Sequence, residues 1–293
     1  MSVDGLLLLD KPAGMTSFSA LKGLKSALGT GRIGHTGTLD KFATGLLVVL
    51  TGGYTKLAEL FSGLDKCYRA TLVLGRTTDT LDPEGEVTGE GPLPDLRRLR
   101  EAAARLSGTI DQIPPAYSAV HVGGRRAYRI ARGGAEPELQ PRRVTIHRLE
   151  IRDYRPPELD IVVECSKGTY VRALARDLGN LAGSCAFVSS LRRTRVGPYD
   201  VREAVAVDGV SGAQMLAGSV DRLLRLEGIG ALTVEDESVS GVRNGRKLKD
   251  CFFTDAPKTD GLYTLLDSGG SLLALALRDR GEYHYKMVSA GLR

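Results

Sequence analysis

Residues 34–50 read GHTGTLDKFATGLLVVL, and this stretch is the most unusual in the chain. Two glycines flank a lone histidine, His35, which predicts a tight loop whose backbone approaches a ligand closely. A lone histidine, however, is most often a structural hydrogen-bonding residue. Asp40 precedes an apolar run, a pattern that is typical of a helix N-cap. Neither of the glycine-rich nucleotide-binding motifs, G-x-G-x-x-G and G-x-x-x-x-G-K-[ST], is present, so nucleotide hydrolysis is poorly supported.

Length and composition place the chain among ordinary globular proteins. It has 293 residues, of which 42% are hydrophobic and 26% are charged, and these values exclude disordered and low-complexity classes. The apolar runs are far shorter than the roughly 20 residues needed to cross a bilayer. No basic leader precedes the first of them. We therefore expect a cytoplasmic protein without membrane contact.

The cysteines and histidines do not form a recognisable metal-binding or disulfide pattern. Cys67, Cys165, Cys185 and Cys251 lack C-x-x-C spacing, and the four histidines include no pair at helical spacing. We expect reduced thiols and no metal-dependent mechanism.

Positive charge is concentrated in one part of the chain. The net charge is +5, and the window from His121 to Arg155 alone holds nine arginines, no lysine and four acids. Glycine pairs and prolines interrupt this window, which predicts loops. Arginine suits phosphate recognition because its guanidinium group can donate two hydrogen bonds to one phosphate. The alternative is a solvated basic loop with no ligand.

Helical and strand patterns alternate irregularly, which favours an α+β sheet over a doubly wound one. Strand patterns cover residues 5–9, 68–74, 144–153 and 159–165, and helical patterns cover residues 17–27, 94–106, 170–181 and 213–226. After Gly228-Ile229-Gly230 the remaining roughly 60 residues resemble short strands with turns. Four basic residues surround the first turn of this segment: Arg243, Arg246, Lys247 and Lys249. They form either a second phosphate contact or the surface of an exposed hairpin.

The segment GHTGTLDKFATGLL resembles the catalytic signature of the TruB family of pseudouridine synthases, whose pattern is G-H-x-G-x-L-D-P-x-A-x-G-x-L. Further family blocks follow in the expected order: LLDKP with GMTS (8–17), KCYRA (66–70), GRTTDTLD (75–82), IPPAYSA (113–119), CSKGTYVR (165–172) and LRR (191–193). The family's proline after the aspartate is Lys41 here, so the fixed φ of proline is lost and its effect is left open.

The resemblance implies a role for several residues. Asp40 would be the catalytic carboxylate, and Arg172 would pair with it. Tyr68 would stack on the target base, Tyr170 would line the pocket, and Leu191 would pack against it.

Other matched residues lie around this pocket. His35 would fill the space that the target nucleotide leaves, and Lys11 and Pro12 would belong to a strand supporting the site. A guanidinium group beside a buried carboxylate opposes the cost of desolvation, and aromatic or apolar side chains suit a flipped base. From the residues alone, Tyr68 and Leu191 read as ordinary core residues and Arg172 as a solvated one.

The resemblance also implies a fold. We expect a pseudouridine synthase fold over residues 1–228, with a central mixed, mostly antiparallel sheet and flanking helices, and a small β-rich PUA-like RNA-binding domain over residues 229–293. A thumb segment, about residues 117–145, would grip RNA. Its candidate contacts are Arg125, Arg126, Arg129, Arg132, Arg142 and Arg143.

The function expected from the resemblance is isomerisation of uridine 55 in the T-loop of tRNA, by a monomer acting without a cofactor or a guide RNA. One alternative is a guide-RNA-dependent relative, which shares the signature. Another is a tRNA-binding or chaperone module whose chemistry is secondary or lost. Asp40 argues against the binding module, because such a module gains nothing from a carboxylate that repels phosphates. The thumb segment favours the stand-alone enzyme over the guide-dependent relative, and activity without an added guide would distinguish the two.

Overall fold

The computed structural model describes residues 4–207 and 218–289. Their α-helices are α1 (Ser17–Ala27), α2 (Ala58–Ser62), α3 (Leu96–Arg105), α4 (Ala127–Arg132), α5 (Val171–Leu181), α6 (Ser219–Leu224) and α7 (Asp236–Arg243). Their strands are β1 (Gly5–Lys11), β2 (Ile33–His35), β3 (Thr44–Thr51), β4 (Lys66–Leu74), β5 (Arg76–Thr78), β6 (Val87–Glu90), β7 (Gly108–Gln112), β8 (His121–Val122), β9 (Arg125–Arg126), β10 (Arg142–Arg155), β11 (Glu158–Cys165), β12 (Ala186–Val196), β13 (Tyr199–Asp200), β14 (Val205–Ala206), β15 (Ile229–Thr233), β16 (Gly261–Leu266), β17 (Leu272–Asp279) and β18 (Glu282–Val288). Short 3-10 helices cover Gly52–Leu57, Val201–Glu203 and Asp250–Phe252.

Contacts divide the chain into two compact units. The first unit takes residues up to 41, residues 45–62 and those from 196 onward; the second takes residues 42–44 and 63–195. Each contains β-sheet strands with helices packed on them, which confirms the expected α+β class. The expected domain ranges, 1–228 and 229–293, stay a prediction.

The sheet of the first unit is built on strand β1. Strand β3 pairs antiparallel with β1, placing Leu7 opposite Val49, while β14 pairs parallel with β1. Residues 6–9 of β1 are all buried, which explains why this strand is a continuous apolar run rather than an alternating one. Helix α1 covers the sheet with Leu21 and Leu24.

The run after Asp40 forms a strand and not a helix. Residues 44–51 are β3, and seven of them are buried. The N-cap interpretation of Asp40 is therefore wrong, because the β-branched and leucine side chains of this run are buried within a sheet rather than along one helical stripe.

The last described segment of the first unit has its own four-stranded sheet, in the order β15-β16-β17-β18. Its core includes Val234, Val242, Leu265 and Leu273. The short strands expected for this part of the sequence are thus present. Of the helix expected over residues 213–226, the structure has α6, while residues 213–217 lie outside the described residues.

The second unit contains a mostly antiparallel sheet in the order β12-β4-β11-β10-β7. Helix α5 buries one face, including Leu174 and Leu178. Its Gly179 lies so close to the backbone of Ala186 on β12 that an added Cβ would come within 2.8 Å of the Ala186 nitrogen. A glycine is therefore needed there for α5 to pack on the sheet.

Candidate active site

Asp40 lies in a loop that connects β2 to β3 in the first unit. The loop begins where the Thr36 N–H donates to the Val48 carbonyl oxygen at 3.0 Å, and Asp40 itself is half-buried. The residue before it, Leu39, is held by one side chain. Ser17 Oγ accepts from the Leu39 N–H at 2.8 Å and donates to the Leu39 carbonyl oxygen at 3.1 Å.

The residue after Asp40 is anchored as well. The Lys41 carbonyl oxygen accepts from the Gly14 N–H at 2.9 Å and from the Lys11 ammonium at 3.4 Å. Lys11 is fully buried and also donates to the carbonyl oxygens of Pro12 at 2.9 Å and Met15 at 2.7 Å. These hydrogen bonds fix the carbonyl oxygen of the residue that follows Asp40.

His35 and Pro12 belong to the same part of the first unit. His35 is the last residue of β2, pairs with Val49 and is half-buried, whereas Pro12 is exposed. Lys11 is the last residue of β1, as expected, whereas Pro12 follows the strand and is not part of it. The support that this strand would give the site stays a prediction. The role of His35 toward a nucleotide stays a prediction.

Arg172 is buried in the second unit, in the first turn of α5. Its Nη1 donates to the Thr80 carbonyl oxygen at 2.8 Å and lies 3.3 Å from Asp82 Oδ2, and its Nη2 donates to the Tyr117 carbonyl oxygen at 3.0 Å. The guanidinium group is thus fixed from three sides. Asp40 and Arg172 belong to different units, and their pairing stays a prediction.

Asp82 is a buried partner of Arg172 that sequence reasoning missed, although it ends the quoted block GRTTDTLD. It is buried, and its Oδ1 accepts from Thr80 Oγ1 at 2.6 Å and from the Glu84 N–H at 3.0 Å. The preceding Leu81 has a φ of +60°, a conformation that is costly for a leucine. A strained backbone therefore presents the carboxylate that pairs with Arg172.

A second side chain missed from the sequence holds Tyr170. Gln112, at the end of β7, accepts from the Tyr170 N–H at 2.9 Å and donates to its carbonyl oxygen at 3.2 Å. Tyr170 is half-buried and directly precedes α5, so Gln112 fixes the entry to the helix that carries Arg172.

Tyr68 and Leu191 lie on the neighbouring strands β4 and β12 of the second unit. Tyr68 is 9% exposed and Leu191 is 6% exposed. Their small exposed fractions fit either core packing or a site that receives a base, so their roles stay predictions.

The thumb segment contains a hairpin followed by a helix. Gly123 and Gly124 form the two-residue turn between β8 and β9 with φ values of +56° and +79°, as a type I′ turn requires. Arg125 and Arg126 follow directly and are exposed. Helix α4 then begins at Ala127, whose N–H donates to the Val120 carbonyl oxygen at 2.7 Å.

Four of the six candidate arginines lie on this hairpin and helix. Arg129 and Arg132 place their guanidinium carbons 6.0 and 5.6 Å from the centroid of the Tyr128 ring, and a hydrogen bond from Arg129 lowers the pKa of the Tyr128 hydroxyl. Arg142 and Arg143 are also exposed but begin β10, opposite Gln112 and Asp111.

Residues 4–207 and 218–289 also bear on metal binding and membrane insertion. They contain no group of three or more His, Cys, Asp or Glu side chains placed to hold a metal ion. None of their helices is long and apolar enough to cross a membrane.

Two family models match the chain. One, described as "TruB family pseudouridylate synthase (N terminal domain)", matches residues 25–171, and "tRNA pseudouridylate synthase B C-terminal domain" matches residues 172–226. A curated relative from Mycobacterium sp. (strain KMS), named tRNA pseudouridine synthase B, is 42% identical over 280 residues, covering 92% of this chain and 91% of the relative.

A relative of the same name from Bordetella avium is 45% identical over 212 residues, covering 71% of this chain and 87% of the relative. Among solved structures, a chain of an archaeal box H/ACA sRNP complex aligns with a TM-score of 0.67 and 20% identity, covering 97% of this chain and 85% of that one. At that identity the likeness shows a shared pseudouridine synthase fold and no more.

Proposed function

The chain belongs to the TruB family of pseudouridylate synthases, and we propose that it converts uridine 55 in the T-loop of tRNA to pseudouridine with Asp40 as the catalytic carboxylate. The bond between N1 of the base and C1′ of the ribose breaks, and a bond between C5 and C1′ forms. N1 gains a proton and C5 loses one, so the reaction is an isomerisation. Its balance requires no metal, cofactor or co-reactant.

The observation that carries the proposal is the double anchoring of the loop around Asp40. Ser17 holds Leu39 through two hydrogen bonds, and Lys11 and Gly14 hold the carbonyl oxygen of Lys41. A reacting carboxylate must be held within a fraction of an ångström of its target for the reaction to be fast. A carboxylate with an ordinary surface role needs no such support.

The target nucleotide reaches this carboxylate by leaving the RNA stack, since chemistry on a base is blocked inside a folded loop. In the proposed arrangement Tyr68 stacks on the flipped base, Tyr170 and Leu191 line its pocket, and His35 fills the space left behind. Arg172 pairs with Asp40 while Asp82 holds its guanidinium group. Tyr68 on β4 is aromatic and Leu191 on β12 is apolar, and such side chains can replace the stacking contacts that the flipped base loses.

The thumb segment supports binding of the RNA backbone. Arg125, Arg126, Arg129 and Arg132 are exposed on one short hairpin and helix, where they can reach phosphates, and Arg142 and Arg143 are exposed at the start of β10. In the proposal, residues 1–228 carry catalysis and residues 229–293 form a PUA-like domain that binds RNA. The enzyme acts as a monomer and uses no guide RNA.

Tritium release tests the proposal directly. A tRNA transcript labelled at C5 of uridine is incubated with the protein and no other macromolecule, since the C5 hydrogen passes to water during isomerisation. We expect release by the wild type, none by Asp40→Asn and full release by Asp255→Asn, a control at an exposed carboxylate. A transcript with cytidine at position 55 should release none.

The same experiment separates the alternatives. Tight tRNA binding without release would favour the binding or chaperone module. Release that requires an added guide RNA would favour a guide-dependent enzyme, and release by Asp40→Asn equal to that of the wild type would remove Asp40 from the chemistry.

A further inference from the structure

The outer face of helix α1 carries an exposed aromatic ring between two lysines. Phe18 is 70% exposed, the largest exposed fraction among the large hydrophobic side chains of the described residues. Lys22 and Lys25 follow at positions i+4 and i+7, which places all three side chains on one helical face. The Lys25 ammonium lies 5.6 Å from the centroid of the Phe18 ring.

This face is separate from the one that packs on the sheet. Ala20, Leu21 and Leu24 are buried against β1 and β3 and account for the apolar stripe that α1 needs to fold. Phe18 contributes nothing to that stripe. Helix α1 also contains no acidic residue, so its exposed face is positive as well as aromatic.

The face begins one residue after a side chain that holds the loop of Asp40. Phe18 directly follows Ser17, whose hydroxyl hydrogen-bonds both backbone groups of Leu39, the residue before Asp40. Consecutive Cα atoms are about 3.8 Å apart. Phe18 therefore lies within one residue of the contact that fixes the loop of Asp40.

We propose that the outer face of α1 is a substrate-RNA contact in which Phe18 stacks on an unpaired base and Lys22 and Lys25 bind the adjoining phosphates. The inference rests on the proposed function, because it takes the RNA substrate as the occupant. Charge complementarity supports that choice, since two ammonium groups beside a flat apolar ring match a phosphate backbone with an exposed base. An acidic or purely apolar protein partner would match only half of the surface.

Equilibrium binding to a tRNA transcript tests the contact at several salt concentrations. We expect Phe18→Ala to weaken binding by about 5- to 150-fold, the range for loss of one base–aromatic stack. Phe18→Tyr should restore wild-type affinity and Phe18→Leu should not, because leucine is apolar but has no flat face. Lys22→Ala with Lys25→Ala should lower the slope of log K against log salt by about one to two units.

Matched controls come from the same unit. Leu60→Ala removes another exposed apolar side chain, 36% exposed on α2, and Lys56→Ala removes another exposed lysine. Both should bind as the wild type does. Tritium release by the wild-type protein is measured in parallel, because this assay tests the proposed function independently of the contact on α1.

The outcomes are distinct. Wild-type release together with unchanged affinity and salt slope in the Phe18 and lysine variants would overturn the contact and leave the isomerase intact. Equal weakening by Phe18→Ala and Leu60→Ala would also overturn it, since the effect would not be specific to this face. Absence of wild-type release would instead refute the proposed function.

Discussion

Replacing Ser17 with alanine tests whether the anchored loop serves catalysis. Ser17 is 2% exposed, and its hydroxyl is both acceptor and donor for the backbone of Leu39, which is 4% exposed. The substitution removes one oxygen and leaves the backbone of α1 unchanged, since alanine is the best helix former. It therefore perturbs the support of Asp40 without altering any group that touches RNA.

The magnitude follows from the two hydrogen bonds. A buried backbone group that loses its partner costs about 1–3 kcal/mol, so the loss of both bonds should lower the free energy of unfolding by about 2–6 kcal/mol. The rate should fall as well, because a displacement of roughly 1 Å in a reacting group can cost about 100-fold. We expect the single-turnover rate of tritium release to fall by about 10- to 100-fold with unchanged affinity for tRNA.

Single-turnover release, tRNA affinity and urea unfolding are measured together on Ser17→Ala and on Ser26→Ala, an exposed serine of the same helix. Ser26→Ala should match the wild type in all three. If Ser17→Ala were less stable yet isomerised tRNA at the wild-type rate, the hydroxyl would be purely structural and the reasoning about loop anchoring would be refuted.

Two other substitutions test different features. Gly85→Ala places a Cβ that overlaps the side chains of Asp79 and Thr80, so it should displace the loop whose Thr80 carbonyl oxygen binds Arg172 and slow single-turnover release. Gly23→Ala, with open space around it on α1, should be neutral or slightly stabilising. Equal release rates for the two variants would contradict this. Burial raises the pKa of the Cys165 thiol from 9.0 to about 11, so the folded chain keeps a proton that the unfolded chain loses, and stability should fall by about 3 kcal/mol between pH 9 and 11. Urea unfolding of Cys165→Ala across that range should lack this part of the pH slope, and identical slopes would contradict the assignment.

Local patterns predicted several of the longer elements. The helix expected over residues 17–27 is α1, and its Thr16 cap accepts from the Ser19 N–H at 3.0 Å. The four expected strands correspond to β1, β4, β10 and β11. These predictions succeed because apolar periodicity and capping depend on neighbours within a few residues.

Contacts between distant residues could not be predicted in the same way. An aspartate before an apolar run indicates an N-cap locally, yet the pairing of β3 with β1 makes that run a strand. Ser17 binds the backbone of a residue 22 positions away, and Gln112 binds the backbone of one 58 positions away. Nothing in the immediate sequence of either residue indicates these contacts. The signature located Asp40, but only the fold identifies the side chains that hold its neighbours.

Strand β1 binds two partners from late in the sequence, β14 and Ser219 of α6, and this has a consequence for the time course of synthesis. The Leu6 N–H donates to Ser219 Oγ at 3.0 Å across 213 residues of sequence, and β1 carries Lys11, which supports the loop of Asp40. A nascent chain emerging from the ribosome at about 5–20 residues per second exposes β1 many seconds before these partners exist. The apolar run of β1 therefore lacks its parallel neighbour during most of synthesis. We expect isomerase activity only after residues beyond 219 have emerged.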